Sequence, residues 1–241
     1  AKLNYTGLGN DPWVDTIGSN DGTESGTFVS VGQKRATIPQ TADKNWNKYP
    51  WFNGTDTNVD LGTLDVTAYT AIEVEISFST GLTAGANELM LSIHHSVGDD
   101  IRVLFDAAGD LIAAVDDGTA YALNFGTGYN DGQKHTVNFA LNGSGLSGTV
   151  DGINPQTDAL ATFNFATAAG GTKIGSRFND GFPFGEGVIY GIEISNQSGL
   201  THAYTGLGND PWKDTIGSNN GTETGTFTRE LVTASDANIQ I

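Results

Sequence analysis

The run Ala71-Ile72-Glu73-Val74-Glu75-Ile76-Ser77-Phe78 alternates apolar and polar residues without a break. Successive side chains of a strand point to opposite faces. Ile72, Val74, Ile76 and Phe78 therefore line one face, and Glu73, Glu75 and Ser77 the other. Residues 88–95, 100–106, 111–115 and 120–125 read as further strands, with turn sequences such as Ala107-Ala108-Gly109-Asp110 and Asp116-Asp117-Gly118 between them. Short strands at roughly ten-residue spacing specify an antiparallel β-sandwich or barrel. No long stretch has helical periodicity, so the expected class is all-β. The abundance of glycine, 33 residues against 6 prolines in 241, fits many tight turns.

A second constraint is a duplication. Residues 5–28 recur as residues 204–227 at a constant offset of 199, and only Val14/Lys213, Asp21/Asn220 and Ser25/Thr224 differ. Nothing repeats in between, which excludes a solenoid. In each copy Asn-Asp-Pro-Trp reads as a turn followed by an aromatic anchor, Trp13 or Trp212. Asn20-Asp21-Gly22 supplies residues that tolerate left-handed backbone. Three arrangements fit: paired edge hairpins of one sandwich, the start of a further truncated unit, or like surfaces offered to a repeating partner such as adjacent subunits. Packing within the chain is the favoured expectation. The expected divisions are 1–38 (first copy, part of the sandwich), 39–59 (an aromatic-rich loop), 60–197 (the sandwich) and 198–241 (second copy and tail).

The formal net charge is −17, from 28 acidic and 11 basic residues. Nucleic acid and anionic lipid need a positive patch, so neither is an expected partner. There is no cysteine, hence no disulfide. No apolar run approaches the ~20 residues that cross a bilayer. The start, Ala1-Lys2-Leu3-Asn4-Tyr5, enters strand-like sequence at once, without the charged and apolar regions of a secretory leader. Synthesis in the cytoplasm is the expectation, with secretion or a cell-surface location as the alternative.

The segment from Tyr129 to Gly152 contains Asp131-Gly132-Gln133-Lys134-His135-Thr136-Val137 and Thr149-Val150-Asp151-Gly152. It resembles the laminin-G hairpin D-G-x-W-H-x-V … V-D-G, with Lys134 where that family usually has Trp. Lys173-Ile174-Gly175-Ser176 resembles the family's x-I-G-G strand. Phe184 to Asn196 resembles its closing strand, and Asp15 with Ser19-Asn20-Asp21-Gly22-Thr23 its opening loop. The ordered set implies a concanavalin A-like jelly roll over much of residues 10–197. Fold does not fix function, because this architecture hosts lectins, adhesion modules, hydrolases and viral coat parts.

The related glycosidases carry carboxylates on alternate residues of one strand. Glu73 and Glu75 share a face, but the third position is Ser77 and no Trp or Met supports the pattern nearby. Paired acids on an exposed strand face are usually solvated, so no enzymatic activity and no catalytic residue is expected. Calcium is the one cofactor the loops suit, since it takes oxygen ligands from Asp and Asn. Its candidate ligands are Asp15, Asn20 and Asp21, echoed by Asp214, Asn219 and Asn220; Asp99-Asp100 and Asp116-Asp117 are further acidic pairs. Trp46, Tyr49 and Trp51 offer stacking faces for a sugar. Trp13 and Trp212 are candidates for docking.

These features point to a non-enzymatic structural or interaction protein displaying a lectin-like sandwich. The expected setting is a bacteriophage virion, as a capsid decoration, head fibre or tail appendage, with other virion proteins as partners and a homotrimer as the assembly. The alternative is a carbohydrate-binding adhesin or lectin module, calcium-assisted, with a host surface glycan as its partner.

Overall fold

A computed structural model describes residues 5–6, 14–15, 48–81, 85, 87–96, 99–117, 119–142, 145–159, 163, 165–179, 181–207 and 211–231. The chain divides into two compact units, Ala1–Ala42 and Asp43–Ile241. In the first, β1 (Tyr5–Thr6) pairs antiparallel with β2 (Val14–Asp15), Tyr5 opposite Asp15 and Thr6 opposite Val14.

The second unit is a sandwich of two antiparallel sheets. Its strands are β3 (Lys48–Phe52), β4 (Asn58–Gly62), β5 (Ala71–Thr80), β6 (Glu88–Ser96), β7 (Asp99–Phe105), β8 (Leu111–Asp117) and β9 (Ala120–Gly126). There follow β10 (His135–Asn142), β11 (Gly145–Val150), β12 (Ile153–Ala159), β13 (Gly171–Ile174), β14 (Gly187–Asn196), β15 (Gly199–Thr205), β16 (Thr222–Thr224) and β17 (Thr228–Leu231). One sheet runs β12-β11-β10-β5-β14-β3-β17, with β15 also paired to β14. The other runs β16-β4-β13-β6-β7-β8-β9.

The alternation read in the sequence is the alternation observed. Ile72, Val74, Ile76 and Phe78 are buried, and β10 adds Val137, Phe139 and Leu141 from the neighbouring strand. The facing sheet fills its inner positions with Leu91, Ile93, Ile101, Val103, Phe105, Ala113 and Val115. The two inner faces form one continuous core. Among the described residues no helix is long and apolar enough to cross a membrane.

The second copy of the duplicated segment packs into this core. Strand β16 pairs with β4 in one sheet, and β17, just beyond the repeat, pairs with β3 in the other. Ahead of them in the chain, Trp212 is fully buried, with its ring against Phe52 at 6.1 Å. Its indole Nε1 donates to Glu223 Oε1 at 3.0 Å, and Arg229 binds the other Glu223 oxygen at 2.6 Å. Trp212 has φ of 63°, a conformation a bulky residue keeps only when surrounding contacts impose it. The docking role expected for Trp212 is therefore corrected: its side chain is a core anchor and presents nothing to a partner. Residues 1–38 fall within the first compact unit, and the strands of the second unit's sandwich run from β3 to β17.

Phe52 meets Phe184, Trp212 and Phe227 edge-on, at 6.0, 6.1 and 5.2 Å. Phe52→Ala is expected to lower unfolding stability by about 3–5 kcal/mol, read from the denaturation midpoint, because it empties the junction where these rings meet.

Candidate functional site

The outer face of the β5–β14 sheet carries a groove of about 340 Å³, lined among others by Tyr49, Glu75, Lys134, Tyr190, Glu193 and Thr215. Its shape begins with an irregularity in β14. Ile189 pairs with Phe78 and Gly191 with Ser77, so Tyr190 is an extra residue, a β-bulge. Ile189 and Ile192 both face the core although they are three apart. The bulge turns Tyr190 outward, as such insertions do beside functional surfaces.

Tyr190 then forms one wall. Tyr49 of β3 meets it edge-on at 4.8 Å, and Lys134 Nζ lies 5.1 Å from its ring centre. Its hydroxyl is 3.1 Å from Ser79 Oγ, and its carbonyl accepts from Thr205 Oγ1 at 3.2 Å. Burial, with the neighbouring Tyr190, raises the pKa of Tyr49 and outweighs the Thr205 hydrogen bond that lowers it. The phenol therefore stays protonated at neutral pH and can donate. The floor holds Glu75 and Glu193 directly opposite each other on neighbouring strands. Among the described residues no hydrogen-bond or ion-pair partner reaches either carboxylate. Glu73, two residues along β5, is instead held by Asn138 Nδ2 at 2.8 Å, and Ser77 Oγ lies 2.8 Å from Thr136 Oγ1.

The turn that carries Lys134 is pinned by His135. Its Nδ1 lies 2.7 Å from Asp151 Oδ2 and its Nε2 3.1 Å from Asp131 Oδ1, while Asp151 Oδ1 accepts from the Thr136 amide at 2.8 Å. Burial alone would lower the imidazole pKa, but the hydrogen bonds and charges of Asp151 and Asp131 outweigh it and raise it. The two aspartates and the histidine of the D-G … H … V-D-G pattern thus form one clamp.

Elsewhere, Asp100 is buried in the other sheet, opposite His94 on one side and Asp116 on the other. Burial raises its pKa, while Arg102 Nε at 2.9 Å and Arg177 at 3.6 Å pull it down. Arg102 also reaches Asp116 at 3.5 Å. These acids serve an ion-paired cluster.

No protein-family model matches the sequence, and no curated protein matches it either. Solved structures do. Domains LG4-5 of the mouse laminin α1 chain superpose with a TM-score of 0.51 at 13% identity, over 68% of this chain and 44% of that one. The heptameric SAP-like pentraxin of Limulus polyphemus gives 0.51 at 10% identity, over 77% and 95%. The CBM40 of the Ruminococcus gnavus IT-sialidase gives 0.44 at 15%, over 58% and 87%. The fold is a concanavalin A-like jelly roll. The chain spans less than half of the laminin structure it matches, and identities this low speak for architecture alone.

The jelly roll sorts the residues singled out in the sequence. Tyr49 stands in the groove, and Trp51, half-buried two residues along β3, shares its strand face. Trp46, Trp13, Asn20 and Asp21 lie outside the described residues, as does the side chain of Asp15. Asp214 Oδ1 accepts from the amides of Ala203, Ile216 and Gly217. Its Oδ2 accepts from the Asn219 amide at 3.2 Å and meets His202 Nδ1 at 2.7 Å. Asn219 Nδ2 donates to the Thr63 carbonyl, and Asn220 Oδ1 accepts from the Asp214 amide. A cation at Asp214 would have to displace these donors, which hold its pKa low despite burial. Among the described residues no group of three or more His, Asp or Glu side chains is arranged to hold a metal ion. Sequence reasoning missed Tyr190, Glu193 and Lys134 as site residues. The departure of Lys134 from the laminin-G pattern was the one visible signal.

Because the His135 pKa is raised on folding, its stabilising contribution is complete below the unfolded imidazole value of about 6.5 and is lost as pH rises through the higher folded value. Urea unfolding of wild type and His135→Gln across pH 5–9 is expected to show the largest gap at the acid end of that window and a shrinking gap above it.

Proposed function

We propose that the protein is a non-catalytic carbohydrate-binding module and that the groove on the β5–β14 sheet takes a neutral oligosaccharide. The observation that carries this reading is the outward-turned Tyr190, paired with Tyr49, over a floor of carboxylates and hydroxyls. Sugars bind where an apolar ring face meets convergent hydrogen-bonding groups. Glu75 and Glu193 are acceptors for sugar hydroxyls, and the Tyr49 phenol adds a donor. The acidic floor and the chain's net charge of −17 oppose anionic glycans. This groove supplies its own polar groups, so calcium assistance, expected from the terminal loops, is not part of the reading. Binding without bond cleavage accords with Glu73 being tied to Asn138.

A structural role in a large particle, as a virion appendage, is the second reading. Its support is the spare copy of a segment that closes the sandwich, since a repeated docking element suits repeated subunits.

A glycan array followed by calorimetric titration tests the first reading. Neutral oligosaccharides are expected to bind and sialylated ones not. Tyr190→Ala is expected to weaken binding about tenfold or more, as loss of a stacking face and its hydrogen bonds costs about 1–3 kcal/mol. Chelator is expected to leave the affinity unchanged. Retained affinity in Tyr190→Ala and Glu193→Gln would refute the site. Release of new reducing ends, abolished by Glu75→Gln, would replace binding with hydrolysis.

A further inference from the structure

An ion pair spans the open side of the second unit's sandwich. Glu223 lies on β16 opposite Val59 of β4, and Arg229 lies on β17 opposite Pro50 of β3. Val59 and Pro50 are buried, and residues opposite one another on a ladder share a face. Both charged side chains therefore point in between the two sheets. They meet at 2.6 Å, and each is less than a quarter exposed. Removing one partner of such a pair strands the other charge, so the contact is costly to break.

Each oxygen of Glu223 leads to one wall of the groove. Oε2 takes Arg229, and β17 is the strand that seats Tyr49: Glu230 pairs with Tyr49, whereas β14 pairs with β3 at Trp51 and Phe52. Oε1 accepts from Trp212 Nε1 at 3.0 Å. The Trp212 amide donates to the Thr205 carbonyl and the Thr215 amide to that of Ala203. The Trp212 segment thus lies along β15 and brings Thr215 to the groove lining. Glu223 itself faces the interior, while the groove lies on the outer face of the other sheet. It acts on the site through Arg229 and Trp212.

We propose that Glu223 is a positioning residue for the groove, fixing through Arg229 the strand that carries Tyr49 and through Trp212 the segment that carries Thr215. The proposal rests on the groove being the binding site. Tyr49 stands edge-on to Tyr190 at 4.8 Å while β17 holds β3 in place. A site whose walls are already set binds more tightly, because less ordering remains to be done on binding. Loss of the Glu223 charge releases Arg229 and frays β17, which is four residues long, and Tyr49 then parts from Tyr190. A Gln side chain still offers Trp212 an acceptor, so Glu223→Gln releases the Tyr49 wall and spares the other.

The test uses full-length chains and a readout that needs no ligand: the nuclear Overhauser contact between the Tyr49 and Tyr190 rings. The contact between Phe78 and Phe105, at 5.7 Å in the core, is the control. Glu223→Gln and Arg229→Met are each expected to weaken the tyrosine contact and keep the control. Arg229→Lys retains a cation for Glu223 and is expected to keep both. A residue that served stability alone would lower the unfolding midpoint and leave the tyrosine contact of the folded state unchanged. That result overturns the proposal, as does joint loss of both contacts. Should Glu223→Gln fail to fold, Arg229→Met against Arg229→Lys carries the same test. Both ring-separated variants are expected to bind a neutral oligosaccharide roughly three- to thirtyfold more weakly than wild type. Unchanged affinity in them overturns the role in binding. Rings that separate as expected in a protein whose wild type binds no neutral oligosaccharide support the positioning and refute the groove reading instead.

Discussion

The ring junction around Phe52 holds the open side of the sandwich together. Phe52 comes from one sheet edge, Trp212 and Phe227 from the segment that closes both sheets, and Phe184 from the connection into β14. Edge-on aromatic contacts add specificity to the area they bury. They also bring Trp212 to a positive φ that local preference would refuse. Strands β16 and β17 are only three and four residues long. Strands that short contribute few ladder bonds, so their place depends on this packing.

The groove depends on the same register. With β14 locked between β5 on one side and β3 and β15 on the other, one inserted residue has a single outlet, the solvent face. The bulge thereby turns Tyr190 toward Tyr49 and under Lys134, and the clamp of His135 with Asp131 and Asp151 fixes the turn from which Lys134 extends. The groove is therefore carried mainly by strands, with one loop residue placed by the clamp beside it. Sites built this way keep their geometry better than sites carried on long loops.

Much of the architecture was legible in the sequence, because period-two alternation reports burial directly. Residues 72–78 show this most clearly, and the D-G … H … V-D-G hairpin proved to be a hydrogen-bonded unit. Tyr49 was singled out only as a stacking aromatic in an expected loop; strand β3 is what sets it outward, alternating with inward Pro50 and Phe52. Tyr190 was not, since a bulge breaks the alternation that would have assigned its face. Trp212 misled for a related reason. A Trp in a polar, glycine-rich stretch reads as exposed, and only the long-range contact with Phe52, 160 positions away, shows otherwise. The Asp214 loop looked like a cation site because Asp and Asn serve both as ligands and as turn caps; the direction of the surrounding N–H groups decides between them.

That long separation has a consequence for synthesis. Strands β3 and β4 leave the ribosome well before the segment that covers their edges, and at typical elongation rates the delay is roughly ten to thirty seconds. For that interval the nascent sandwich exposes two unpaired strand edges and the Phe52 ring to whatever lies nearby. Polysomes hold many such chains side by side. The time of greatest exposure to strand pairing between neighbours thus falls during translation, before any chain is complete.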